Sequence, residues 1–165
     1  MNGGRISHSL PDHIDAEADV VVIGAGACGL VAALRARAAG AEVMVLERDA
    51  SPSGSTSMSS GFVPAPATRF QRAIGVADDT PERFEADIMS KSKGKSAASL
   101  TRLATQTIGP ALGWLADAHG LEWIVLDDFL YPGHSRHRMH AVPEKTGAAL
   151  EARLLAAVEA AEIPV

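Results

Sequence analysis

Four apolar residues, Val20-Val21-Val22-Ile23, run directly into Gly24-Ala25-Gly26-Ala27-Cys28-Gly29, and this junction constrains the fold more than any other stretch of the chain. Glycines spaced as G-x-G-x-x-G behind a β-branched run predict a tight turn from a strand into a helix. The alanine-rich stretch that follows carries the small Ala33 four positions past Gly29 and reaches Gly40. A second apolar run, Val43-Met44-Val45-Leu46, then ends at Glu47, 23 residues after Gly24. The order predicts a βαβ unit, and hence an α/β, Rossmann-like fold.

Each residue type in this unit has a physical reason. A side chain at Gly24 would block the turn, one at Gly26 would hold the backbone away from a pyrophosphate, and Gly29 lets the helix lie close to the strand. Ala25 lies within the same turn. The unbonded N–H groups of the first helical turn and the positive end of the helix dipole face incoming phosphates, so no lysine is needed. Glu47, at the carboxyl end of the second strand, can accept hydrogen bonds from both ribose hydroxyls of an adenosine. Its charge disfavours a 2′-phosphate and therefore NADP. The unit predicts an adenine dinucleotide ligand.

After Glu47-Arg48 the chain does not enter a second Rossmann helix. It runs through Ser51-Pro52-Ser53-Gly54-Ser55-Thr56-Ser57-Met58-Ser59-Ser60-Gly61, without helical or strand periodicity. Such a segment offers backbone N–H groups and hydroxyls to an extended ligand. From Pro64 to Leu130 the pattern is mainly helical. One helix opens at Thr80-Pro81 with Phe84, Ile88 and Met89 on one side; a second spans about 97–107; Gly109-Pro110 breaks the pattern; a third runs through Trp114-Leu115 to Gly120. A last helix is expected over 146–161, with Leu150, Leu154, Val158 and Ala161 on one face, followed by the start of a strand at Ile163-Pro164-Val165. An apolar helix face needs a sheet to cover, and two parallel strands are too few to supply one. The domain is therefore expected to be incomplete, with a disordered or extended tail over 1–18 and the amino-terminal part of a larger domain over 19–165.

From Asp15 onward the order of these features resembles the flavoprotein family of fumarate reductases and succinate dehydrogenases, which includes flavocytochrome-type fumarate reductases and 3-ketosteroid dehydrogenases. The resemblance rests on the glycine fingerprint, Glu47-Arg48, Ser53-Gly54-Ser55-Thr56-Ser57 and Ser60-Gly61. It continues through Trp114-Leu115, Gly120-Leu121-Glu122-Trp123, and Arg138-Met139-His140 ahead of Thr146-Gly147. It implies that Gly24, Ala25, Gly26 and Gly29 hold the pyrophosphate of FAD, Glu47 and Arg48 its adenosine, and Ser55, Thr56, Ser60 and Gly61 the path toward the flavin ring. Some members attach the flavin through a histidine in this loop; the equivalent position is similar to Ser55, which implies non-covalent FAD. The implied activity of the full protein is hydride transfer at flavin N5 that reduces or forms a C=C bond beside an activating carbonyl or carboxylate. The family's catalytic groups lie in later segments, so no catalytic residue is assigned here. An NAD-binding module and a non-catalytic nucleotide-binding domain remain as alternatives.

Composition narrows the partners. A net charge of −5 provides no broad basic surface for nucleic acid or anionic membranes. No apolar run reaches membrane-spanning length and residues 1–18 lack a signal-peptide core, so a cytoplasmic protein acting on a small molecule is expected, with its electron donor or acceptor open. Cys28 is the single cysteine, excluding an internal disulfide and fitting a reducing compartment. At a helix start it invites a redox role, but without a second thiol it reads as a small residue beside the turn. In His134-Ser135-Arg136-His137-Arg138-Met139-His140 the arginines argue against a metal site. The strip reads either as an anion-facing segment presenting Arg138 and His140 to flavin or substrate, or as a solvated loop.

Overall fold

A computed structural model of the chain describes residues 16–165; residues 1–15 of the expected tail lie outside the described residues, and 16–18 carry no regular structure. The elements follow in the order β1 (Val20–Ile23), α1 (Ala27–Ala38), β2 (Val43–Leu46), α2 (Ser55–Met58), β3 (Val63–Pro64), α3 (Arg69–Ala73), α4 (Pro81–Lys91), α5 (Ala98–His119), β4 (Ile124–Val125), β5 (Met139–Ala141) and α6 (Gly147–Ala160).

β1 and β2 pair in parallel, Val20 opposite Val43 and Ile23 opposite Leu46, with α1 as the crossover. Alternation sends Val43 and Val45 inward, against Leu30, Ala33 and Leu34 of α1 and Leu150, Leu154 and Val158 of α6. The opposite face of the pair is bare: Val21 is 51%, Leu46 50% and Ile23 87% exposed. Beside β2 the chain returns at its last residues, where the Val45 N–H donates to the Pro164 carbonyl at 2.9 Å. The expected third strand thus begins to form on that edge.

A second sheet, antiparallel and ordered β3-β5-β4, carries the exit from the serine-rich segment. Its strands are two or three residues long, too short to leave a period in the sequence. The helix expected at Thr80-Pro81 is α4: the Thr80 hydroxyl accepts the Arg83 N–H at 3.1 Å, Pro81 opens the first turn and Phe84 is buried.

The expected break at Gly109-Pro110 is not observed, because α5 is one helix of 22 residues with Pro110 inside it. Proline removes a single intrahelical donor, and Gln106, whose carbonyl loses that partner, lies on the exposed side where water can replace it. Thr101, Thr105, Gly109 and Leu112 form a buried stripe at helical spacing that holds the two halves in register. Gly109 marks the crossing point, since a Cβ there would stand 2.5 Å from the Pro66 carbonyl oxygen. The aromatics of this region belong to the core or its margin: Trp123 is buried and donates from Nε1 to the Leu112 carbonyl at 3.1 Å, and Trp114 packs against the same cluster.

Candidate cofactor site

The turn from β1 into α1 supplies the centre of the site. Gly24 has φ of +101°, a backbone conformation that side chains oppose, and its N–H donates to the Leu46 carbonyl at 2.8 Å, seating the turn at the end of β2. Gly29 has no clearance: a Cβ on it would overlap the Gly24 carbonyl oxygen and stand 3.2 Å from a Val22 methyl group. This contact brings α1 down on the turn. Cys28, the residue before it, is exposed.

Two side chains from distant positions close on this helix start. Glu47 Oε2 accepts the Ala25 N–H at 2.8 Å, while Oε1 accepts the N–H groups of Arg48 at 2.8 Å and Asp49 at 3.1 Å. These bonds, that from Ala25 foremost, hold the Glu47 carboxyl below its usual range, so it is ionised at neutral pH. The Thr56 hydroxyl oxygen accepts the Ala27 N–H at 3.0 Å. With a lone pair committed to that amide, its proton is free to point outward as a donor.

Gly26 caps α1 without any side-chain hydrogen bond. The N–H groups of Gly26, Cys28 and Gly29 find no acceptor among the described residues. Three open amides, a helix dipole, an outward hydroxyl and an ionised carboxylate within one turn fit the donor and acceptor pattern of a dinucleotide: donors for the phosphates, acceptors for the ribose hydroxyls.

The serine-rich segment is more ordered than its composition predicts. It contains the one-turn helix α2, and the Ser59 hydroxyl donates to the Thr56 carbonyl at 2.8 Å while its oxygen accepts the Gly61 N–H at 3.0 Å. Ser55 and Ser60 are exposed at either end of this turn, and Gly61 is buried with φ of +67°. The structure therefore brings Gly24, Ala25, Gly26, Gly29, Glu47 and Thr56 together directly. Arg48 points elsewhere, pairing its guanidinium with Asp49 at 2.9 Å on the surface.

Arg138 and His140 do not join this cluster. Both are fully buried. Arg138 donates from Nε and Nη2 to Asp79 at 2.9 and 2.7 Å and from Nη1 to Asp87 at 2.6 Å, with its guanidinium 4.6 Å from the centre of the Phe84 ring. The same Asp79 accepts from Gln71 at 2.7 Å. His140 contacts the Arg138 carbonyl through Nδ1 at 2.9 Å and Thr68 Oγ1 through Nε2 at 2.8 Å. A carbonyl only accepts, so Nδ1 carries the proton and the neutral ring accepts the Thr68 hydroxyl at Nε2. Burial pushes the His140 pKa down, against the opposing pull of the Arg138 carbonyl. Sequence reasoning missed the reason for this placement: Asp79 and Asp87, 59 and 51 residues away, consume the cationic charge. Among the described residues no group of three or more His, Cys, Asp or Glu side chains could hold a metal ion. No described helix is long and apolar enough to cross a membrane.

Sequence reasoning also missed the packing of Gly147 against the Thr56 segment. The Thr146-Gly147 pair is visible in the sequence, but its contact with the Thr56 segment is visible only in the structure.

A family model described as FAD binding domain matches residues 19–165, and the chain belongs to that family. Among curated relatives, the NADH:fumarate oxidoreductase of Klebsiella pneumoniae (strain 342) is 35% identical over 115 residues, which are 70% of this chain and 12% of that protein. Among solved structures, a flavocytochrome c3 fumarate reductase in its open conformation superposes with a TM-score of 0.77 at 27% identity, over 88% of this chain and 26% of that one. The 3-ketosteroid-Δ4-(5α)-dehydrogenase from Rhodococcus jostii RHA1 superposes with a TM-score of 0.76 at 25% identity, over 93% and 38%. This chain thus spans a small part of the length of the relatives it matches.

Proposed function

We propose that these residues form the FAD-binding portion of a flavin-dependent oxidoreductase that reduces or forms a C=C bond next to an activating carbonyl or carboxylate. The observation that carries the FAD reading is the meeting of Glu47 and Thr56 at the start of α1, where they take the amides of Ala25 and Ala27 and leave those of Gly26, Cys28 and Gly29 open. Gly26, Cys28 and Gly29 would donate to the pyrophosphate through their backbones, Thr56 through its hydroxyl, and Glu47 would accept from the ribose. Ser55, Ser60 and Gly61 would follow the ligand toward its ring end, and Arg48 would cover the adenosine after releasing Asp49. FAD, when bound, supplies the hydride-transferring centre. This chain's own share is to fix the adenosine diphosphate half and present the ring end to the rest of the site.

We read the attachment as non-covalent, since Ser55 lacks the nucleophilic nitrogen that a histidine would provide. The choice of an activated C=C bond is supported by the fumarate-acting and ketosteroid-acting relatives. The bare face of the β1-β2 sheet supports a further layer of polypeptide over Val21, Ile23 and Leu46, because three adjacent exposed apolar side chains on a sheet are costly in water. On this reading residues 19–165 are one part of a larger Rossmann-like domain.

The test is an absorbance and fluorescence scan of the purified full-length protein before and after acid precipitation. A flavin spectrum that moves to the supernatant is the expected result, and colour left in the pellet would mean covalent attachment. A folded protein that takes up NAD but no added FAD would overturn the proposal.

A further inference from the structure

The start of α6 lies directly against the segment that carries Thr56. Gly147 is buried, and a Cβ on it would overlap the Thr56 carbonyl oxygen and stand 2.6 Å from the Ser59 carbonyl oxygen and 2.7 Å from Ser59 Oγ. Its N–H donates to that same Ser59 carbonyl at 2.9 Å. From the other side, a Cβ on Gly61 would stand 2.7 Å from the Thr146 carbonyl oxygen and 2.9 Å from the Gly147 nitrogen. Two glycines therefore interlock backbone to backbone, Gly61 of the serine-rich segment on α6 and Gly147 of α6 on the segment. The nearest obstacles are main-chain atoms, which cannot rotate aside as a side chain can.

We infer that Gly147 is a positioning residue for the dinucleotide, acting through Thr56. The inference rests on the FAD reading above and adds to it a residue 91 positions beyond Thr56 in sequence. The path is short and continuous: the α6 start abuts the Thr56 carbonyl, Ser59 Oγ ties that carbonyl at 2.8 Å, and the Thr56 hydroxyl meets the Ala27 N–H at 3.0 Å. A methyl group at Gly147 has to push the Thr56 backbone by on the order of 1 Å to reach ordinary contact distance. A hydrogen bond already at 3.0 Å then passes beyond the useful range. The hydroxyl that faces the phosphates leaves with it.

The experiment titrates FAD into the apo form of the full-length protein for wild type, Gly147→Ala, Thr56→Val and the double variant, and records the circular dichroism of the bound flavin. Gly113→Ala serves as control, being a helical glycine with nothing within 4 Å of its Cβ position. Gly147→Ala is expected to weaken FAD about tenfold and to alter the flavin dichroism, as the loss of a hydrogen-bonded contact to a charged group implies. Gly113→Ala is expected to change neither. In the Thr56→Val background the Gly147→Ala effect should largely vanish, since both act through one hydroxyl. Because Gly147→Ala could impair folding, Ser59→Ala, which removes the tie to the Thr56 carbonyl together with the acceptor of the Gly61 N–H, is measured in parallel; a loss of about threefold, again absent beside Thr56→Val, is expected. Unchanged affinity in Gly147→Ala, or in Ser59→Ala if the former does not fold, overturns the inference while wild-type binding keeps the FAD reading. Effects that simply add to that of Thr56→Val also overturn it. A folded wild type that binds no FAD overturns the FAD reading itself.

Discussion

The Ala25 amide donates to Glu47 Oε2 at 2.8 Å, joining residues 22 positions apart across the end of the parallel pair. One carboxylate thereby holds the turn and still has lone pairs to offer a ribose. Replacing Glu47 by Gln keeps the shape but weakens both tasks, because an amide oxygen is a poorer acceptor than a carboxylate and its NH2 group cannot accept. Charge-assisted hydrogen bonds are stronger than neutral ones, so FAD affinity should fall by about ten- to a hundredfold. Equilibrium titration of the apoprotein checks this, and an unchanged dissociation constant would remove Glu47 from the site.

Arg138 is neutralised in the interior by Asp79 and Asp87, and each carboxylate loses this cation if the arginine is lost. Arg138→Met should cost about 3–5 kcal/mol, since two carboxylates are left beside apolar Phe84 without a cation. Chemical denaturation would show it. A triple replacement by apolar residues of matching volume should recover much of the loss, which separates the cost of an orphaned charge from the value of the pair.

His140 gives the stability a definite pH dependence. Burial holds its pKa below the ordinary histidine value, so between the folded and unfolded values only the unfolded chain takes up a proton. Stability from this group is fully present above about pH 6.5 and declines as the pH falls from there toward the folded value. His119 and His134 shift in the same direction through burial. Asp78 is held at about 2, foremost by hydrogen bonds from Arg136. Its contribution survives to the ordinary carboxylate range and is lost only from there down to about pH 2. Thermal melting between pH 8 and about pH 5 should show the histidine part, and His140→Gln should make that slope shallower.

Gly29 and Gly113 are both helical glycines, yet substitution should move stability in opposite directions. A Cβ at Gly29 overlaps the Gly24 carbonyl oxygen, whereas one at Gly113 meets nothing within 4 Å. Gly29→Ala should cost about 1–3 kcal/mol through forced displacement of α1 from β1. Gly113→Ala should gain up to about 1 kcal/mol from helix propensity. Paired thermal melts decide it.

The βαβ unit was legible in the sequence because each of its constraints is local. Gly24 and Gly29 answer to a turn six residues long, and Val43 to Leu46 form one continuous apolar run. The helix over 81–91 was legible for the same reason, since Thr80 and Pro81 act on their own first turn. Glu47 was found by distance along the chain, as the crossover fixes how far the second strand's end lies from the first turn.

What the amino-acid sequence determined alone was therefore the start of the site: a glycine turn, a helix dipole and a carboxylate at the end of β2. Tertiary structure decided everything that depends on meeting partners far away in the chain. Pro110 stays inside a helix because a buried stripe from Thr101 to Leu112 outweighs one missing donor. Arg138 turns inward because Asp79 and Asp87 wait there, and His140 follows onto the Arg138 carbonyl and Thr68, partners that the local run of His and Arg does not reveal. Gly147 meets Thr56 because α6 folds back onto it, and no period or spacing records a contact between two backbones 91 residues apart. Periodicity reports which face of an element is apolar; only packing reports what that face, or a glycine on it, comes to touch.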